Sequence, residues 1–218
     1  MAAVPPIVMS LTPQQLVREL LVRLGEDPDR DGLKETPDRV WRALKELTSG
    51  LDDASPAEDL LKAFDNKDGS REMVVVRDID FTSLCEHHLL PFEGVAHVAY
   101  LPGDKIVGLS KFGRLVDRFA RRPQVQERLT DQIARTVWEV TKSERSDYED
   151  GGPVSNMGGA ACVVEAHHSC MSCRGVRKQK ASMVTSALYG AFKDDAVVLG
   201  RVQDDDRVAY LQTHIAAV

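Results

Sequence analysis

The chain has 218 residues, 43% hydrophobic and 28% charged, which is enough apolar material for a real core in one domain, or in one domain with a helical appendage. A formal net charge of -6 argues against wholesale nucleic-acid binding, which shows as a basic excess, and leaves room for an anionic small substrate only where cations gather locally. Four cysteines make no disulfide framework, the apolar Met1–Met9 stretch lacks a basic n-region, and no apolar run approaches the roughly 20 residues of a membrane span, so a cytoplasmic protein without membrane or nucleic-acid partners is expected.

The first third reads as helical. Thr12 can cap a helix that has Pro13 in its first turn and Gln15 at the capping-box position, with Leu16, Leu20 and Leu24 on one face and Gly25 as the stop. Thr36-Pro37-Asp38 repeats the signal, followed by Val40, Leu44 and Leu47 up to Gly50, and a short helix is expected from Ser55 to Phe64. The pattern then changes. Met73–Val76 with Ile79, and Val95–Leu101 closed by Pro102-Gly103, are strand-like. Helical character returns from Ser110 to Arg122, is punctuated by Pro123, and resumes with Leu129, Ile133 and Val137. A polar, glycine-rich loop is expected from Glu144 to Gly159, then strands over 161–166, 182–189 and 196–202. Helices followed by mixed strands and helices indicate an α+β fold with an antiparallel sheet, divided into a helical segment 1–66 and a main domain 67–218.

Two clusters could carry chemistry. Ser83-Leu84-Cys85-Glu86-His87-His88 sets a thiol and an imidazole two residues apart in one tight loop between strands. His167-His168-Ser169-Cys170-Met171-Ser172-Cys173 offers the rest of a metal site. By spacing alone, Cys85, His88, Cys170 and Cys173 make a closed structural zinc site. The extra imidazoles His87 and His168 favour an open one, because a water activated on zinc needs groups that move protons near neutral pH. A deaminase would want a His-x-Glu stretch and Pro-Cys-x-x-Cys. In this chain Glu86 precedes His87, and Ser169 stands where the proline would be.

Positive charge gathers as required. Lys111, Arg114, Arg118 and Arg121 recur at helical spacing, and Arg174, Arg177 and Lys178 follow the second cluster. Lys111 stands at an expected helix N-terminus, where backbone N–H groups attract phosphate, whereas Arg118, Arg121 and Arg122 read equally well as a solvated face. Gln126-Glu127 begins the next helix. Glu127 is either a first-turn carboxylate favoured by the helix dipole, or an acceptor for the N1–H and exocyclic amine of a guanine.

Four motifs in order then resemble the GTP cyclohydrolase I family: Ser-Leu-Cys-Glu-His-His, Gly-Leu-Ser-Lys-Phe-Gly-Arg, Arg-Pro-Gln-Val-Gln-Glu-Arg-Leu-Thr and His-Ser-Cys-Met-Ser-Cys-Arg-Gly-Val-Arg. Asp-Arg-Asp-Gly-Leu-x-x-Thr-Pro-Asp-Arg-Val is similar to that family's helical N-terminal segment, and the resemblance runs from about Leu16 to Phe192. It implies GTP as substrate, opening of the purine imidazole ring, release of C8 as formate and closure to 7,8-dihydroneopterin triphosphate. It implies one zinc on Cys85, His88 and Cys170, with Cys173 only a neighbour, and Cys162 a buried strand residue. His87 and His168 match the catalytic histidines, and Glu127 the guanine anchor, with Gln126 beside it. Ser110, Lys111, Arg114 and Arg174 match triphosphate contacts, and Arg39 and Arg42 match basic residues that reach the phosphates from an adjacent subunit. The implied architecture is a tunnelling fold (T-fold): antiparallel four-stranded sheets joined into a barrel with helices outside, assembled as a homodecamer with active sites between subunits.

Overall fold

A computed structural model describes residues 11–69, 72–143 and 158–194. The chain divides into two compact units between Ser49 and Gly50. The first holds α1 (Pro13–Arg23) and α2 (Thr36–Leu47), which pack on each other. The capping box at α1 forms in both directions: Gln15 N–H donates to Thr12 Oγ1 at 3.2 Å and Thr12 N–H to Gln15 Oε1 at 2.7 Å. Gly25, at φ +88°, turns the chain away after the helix, a conformation that costs a residue without Cβ little.

Among the described residues, the second unit is built on a five-stranded sheet in the order β5-β2-β3-β6-β7. β2 (Val74–Cys85), β3 (Pro91–Leu101), β6 (Gly159–His168) and β7 (Met183–Gly190) run antiparallel in sequence. β5 (Pro123–Gln124) is a two-residue strand parallel to the end of β2. A separate antiparallel ribbon pairs β1 (Ala63–Asp65) with β4 (Lys105–Val107). The fold is therefore α+β with an antiparallel-rich sheet, as expected of the T-fold.

Two helices cover the sheet. α3 (Ser110–Ala120) lies on β2, and α4 (Gln126–Thr141) lies across β6 and β7. Their apolar faces (Phe112, Leu115 and Val116; Leu129, Ile133 and Val137) meet Phe81, Phe92, Val98 and Val164 in one core. The alternate face of β6 is buried too. Ala161 and Val163 pack with Phe192 of α6 (Ala191–Asp194), which explains why β6 reads as a continuous apolar run rather than an alternating one.

The structure alters one expected element. Ser55–Phe64 is not a helix: a single 3₁₀ turn spans Ala57–Leu60, and Phe64 then pairs with Ile106 in the β1–β4 ribbon. One turn does not overcome the cost of helix nucleation, and strand pairing takes the following residues instead. The two-residue β5 was also hidden, because Pro123 reads only as a helix stop. Residues 144–157 of the expected loop, and the expected strand over 196–202, lie outside the described residues. Among the described residues no helix is long and apolar enough to cross a membrane.

Candidate active site

Cys85 is the last residue of β2 and is buried. A tight turn follows: Cys85 accepts through its carbonyl from His88 N–H (3.2 Å) and Leu89 N–H (2.8 Å), and its own N–H donates to Leu90 O at 2.8 Å. Leu89 holds φ +52°, the left-handed conformation that closes so short a connection. Both histidines of the turn stay exposed, with Nδ1 of His87 at 3.7 Å and Nδ1 of His88 at 3.8 Å from Cys85 Sγ.

The second cluster arrives along β6. Register places His168 opposite Phe92 and His167 opposite Glu93, so the end of β6 lies beside the start of β3. α5 (Ser169–Ser172) then folds Cys170 back toward Cys85. The reactive atoms of Cys85, His168 and Cys170 all lie within 4.8 Å of one another. Burial pushes the Cys170 thiol above its ordinary value, and the charge and hydrogen bond of the neighbouring Cys85 add to this. A buried thiol and a half-buried one, with imidazoles at hand, are the soft sulfur and nitrogen donors that zinc selects, and a cation between them would favour their thiolates. The residues present therefore fit a metal.

Sequence reasoning and geometry select different imidazoles as third donor. His168, expected as a proton-transfer residue, is the one grouped with the two thiols. His88, expected as a ligand, sits beside Cys85 while its Nε2 accepts from Arg174 Nη1 at 2.9 Å. A guanidinium only donates, so Nε2 is the lone-pair nitrogen of His88. Cys173 takes no part: it is exposed, and its Sγ donates to Ser169 O at 2.8 Å. Cys162 is fully buried in β6, where desolvation raises its thiol far above the ordinary value.

His168 is held on two sides. Its ring stacks on Phe92 with centroids 4.5 Å apart and planes 3° from parallel, and its Nε2 lies 2.9 Å from Gln126 Oε1. Burial lowers its pKa, and the nearby Glu127 carboxylate opposes that. Glu127 itself is exposed on the first turn of α4. Gln126, expected beside the substrate, is buried, and its amide nitrogen donates to Val164 O (3.0 Å), Met183 O (2.9 Å) and Thr185 Oγ1 (3.2 Å).

The expected phosphate contacts lie on three separate elements. Ser110, Lys111 and Arg114 occupy the start of α3, which has no side-chain cap; the N–H groups of Lys111 and Phe112 donate instead to Gly108 O (2.9 Å) and Leu109 O (3.3 Å). Ser110 and Arg114 are exposed, Lys111 is half-buried, and among the described residues neither cation has an ion pair. Arg174 follows α5 and touches His88. Arg39 and Arg42 belong to the other compact unit, where they pair with Glu35 and with Asp38 (3.0 Å). Arg118 is structural, donating to Gly50 O and to Ser55 O at 3.1 Å, and Arg121 pairs with Asp117.

Sequence reasoning missed the supports of the Cys85 turn. Glu86 N–H donates to Gln124 O at 3.0 Å, and the Glu86 carboxylate pairs with Arg128, whose Nε also donates to Gln124 Oε1 at 2.5 Å. Residues 42 apart in sequence carry no local signal of such a pair.

A model of the GTP cyclohydrolase I family matches residues 13–204. The chain is 50% identical over 193 residues to GTP cyclohydrolase 1 of Rhodopirellula baltica, covering 87% of this chain and 77% of the relative. It is 51% identical over 182 residues to GTP cyclohydrolase 1 of Streptomyces griseus, covering 83% and 82%. The GTP cyclohydrolase 1 of Thermoanaerobacter pseudethanolicus is 49% identical over 183 residues, covering 84% of this chain and 88% of its own length. With half its residues shared over more than four-fifths of its length, and a family model spanning both thiol clusters, this chain belongs to the GTP cyclohydrolase I family.

Proposed function

We propose that the chain catalyses the zinc-dependent hydrolysis of GTP at C8, with net uptake of one water, releasing formate and forming 7,8-dihydroneopterin triphosphate. The observation that carries this reading is the convergence of Cys85, Cys170 and His168 within 4.8 Å, in a chain of this family. Zinc held there supplies Lewis-acid activation of water at neutral pH. Cys85 and Cys170 would hold the metal with His88 as the third ligand, leaving His168 beside it for proton transfer. Arg174 donates to His88 Nε2 at 2.9 Å, so a metal taken by His88 would release Arg174 for the triphosphate.

Glu127, exposed beside His168, accepts the paired hydrogen bonds of the guanine N1–H and 2-amino group and so fixes the purine. His168 brings a proton to N7, which makes C8 more electrophilic. His87, on the exposed turn, moves a proton as the ring opens. Ser110, Lys111, Arg114 and Arg174 bind the triphosphate, and their cations focus an anion onto a protein that is acidic overall. Arg39 and Arg42 reach the phosphates of an adjacent subunit in a homodecamer. Their present pairs with Glu35 and Asp38 are exposed ones, which open at small cost.

The deciding experiment incubates zinc-loaded protein with GTP and assays formate and the fluorescent oxidised neopterin. Equimolar appearance of both supports the reading. GTP returned intact ends it.

A further inference from the structure

The hydrogen bonds of Gln126 have a single consistent direction. Thr130 donates its hydroxyl proton to the backbone carbonyl of Gln126 at 2.8 Å, so the 2.6 Å contact between Thr130 and Thr185 is a donation from Thr185. Thr185 Oγ1 is thereby left as an acceptor for the Gln126 amide nitrogen, at 3.2 Å. The other two partners of that nitrogen, Val164 O and Met183 O, are carbonyls and can only accept. Turning the amide over would set its oxygen against both of them in a buried site, at the cost of an unsatisfied group. Gln126 Oε1 therefore faces His168, and the 2.9 Å contact requires a hydrogen on His168 Nε2.

We propose that Gln126 is a positioning residue that fixes His168 with its hydrogen on Nε2, so that Nδ1 is the nitrogen that meets metal or substrate. Phe92 fixes the plane of the ring and Gln126 its rotation within that plane, which together aim Nδ1 without any loop having to move. The anchor is secure: Gln126 is the first residue of α4 and ties it to β6 through Val164 and to β7 through Met183 and Thr185. This deepens the proposed function and rests on it only for the kinetic part of the test.

The test is solid-state 15N NMR of the zinc-loaded protein labelled at histidine, with the His168 signals assigned by their loss in His168→Gln. The expected spectrum has a protonated Nε2 and an Nδ1 without hydrogen. A hydrogen on Nδ1 instead overturns the proposal. Gln126→Leu is expected to blur the His168 pattern into a mixture of tautomers, and to lower kcat for GTP by roughly tenfold to a hundredfold with KM nearly unchanged. An unaltered kcat in a folded, zinc-loaded Gln126→Leu protein likewise overturns it. Should that variant fail to fold, or the wild type not turn over GTP, the wild-type spectrum decides alone.

Discussion

Three cysteines near one another carry two different expectations. Cys85 and Cys170 face each other within the metal-sized cluster, whereas Cys173 points out and gives its S–H to Ser169 O. Cys85→Ser and Cys170→Ser should each bring bound zinc, measured by atomic absorption, close to zero, because a serine hydroxyl stays protonated and ligates poorly. Cys173→Ser should leave zinc stoichiometry and activity near the wild-type value, and loss of zinc in that variant would revive the four-ligand structural site. Glu127 offers a second test. Gln in its place keeps the shape but loses the charge and half of the paired acceptor, so kcat/KM for GTP should fall by roughly tenfold to a hundredfold, the equivalent of a charged hydrogen bond of about 1.5–3 kcal/mol. The cysteine and histidine positions were legible because their residue types and two-residue gaps have few other uses. The role of Gln126 was not, since nothing in the one-dimensional order says that a helix-start glutamine ends up buried between two strands.

Among the elements, the hairpin between β2 and β3 owes its rigidity to α4. Arg128 joins Glu86 of the turn to Gln124 of β5, and Gln124 in turn donates to Phe119 O at 3.1 Å and Gln132 Oε1 at 2.9 Å. Arg128→Met should preserve the helix but loosen the turn, lowering zinc affinity by about 10–100-fold, the usual effect of losing a support behind a metal ligand, as read by competition with a chelator. The β3–β6 pairing depends on Gly94, where an added Cβ would lie 1.9 Å from Glu165 O. Gly94→Ala should therefore destabilise the protein by about 3 kcal/mol in urea unfolding, since backbone on the facing strand cannot swing aside as a side chain can. Helix and strand identities came through in the sequence wherever the apolar pattern was long, as in the helical period of α4 and the continuous apolar run of β6. The 57–65 stretch did not, because a single turn and a three-residue strand are decided by partners and not by period.

For the whole molecule, a net charge of -6 repels a triphosphate at long range, so binding must come from the few cations expected to meet it. KM for GTP should rise several-fold between about 0.05 and 0.5 M salt while kcat holds, because exposed charges are screened as the Debye length shrinks. A salt-independent KM would remove Lys111, Arg114 and Arg174 from the phosphate site. The sequence by itself determined the α+β class, the family and the residues able to bind metal, because binary patterning and donor chemistry are local properties of the chain. Only the tertiary structure decided that His168 comes within 4.8 Å of Cys85 and Cys170 while His88 meets Arg174, which glutamine holds His168 and which arginine braces the turn. Those relations link strands and helices far apart in the chain, and register and packing bring them together.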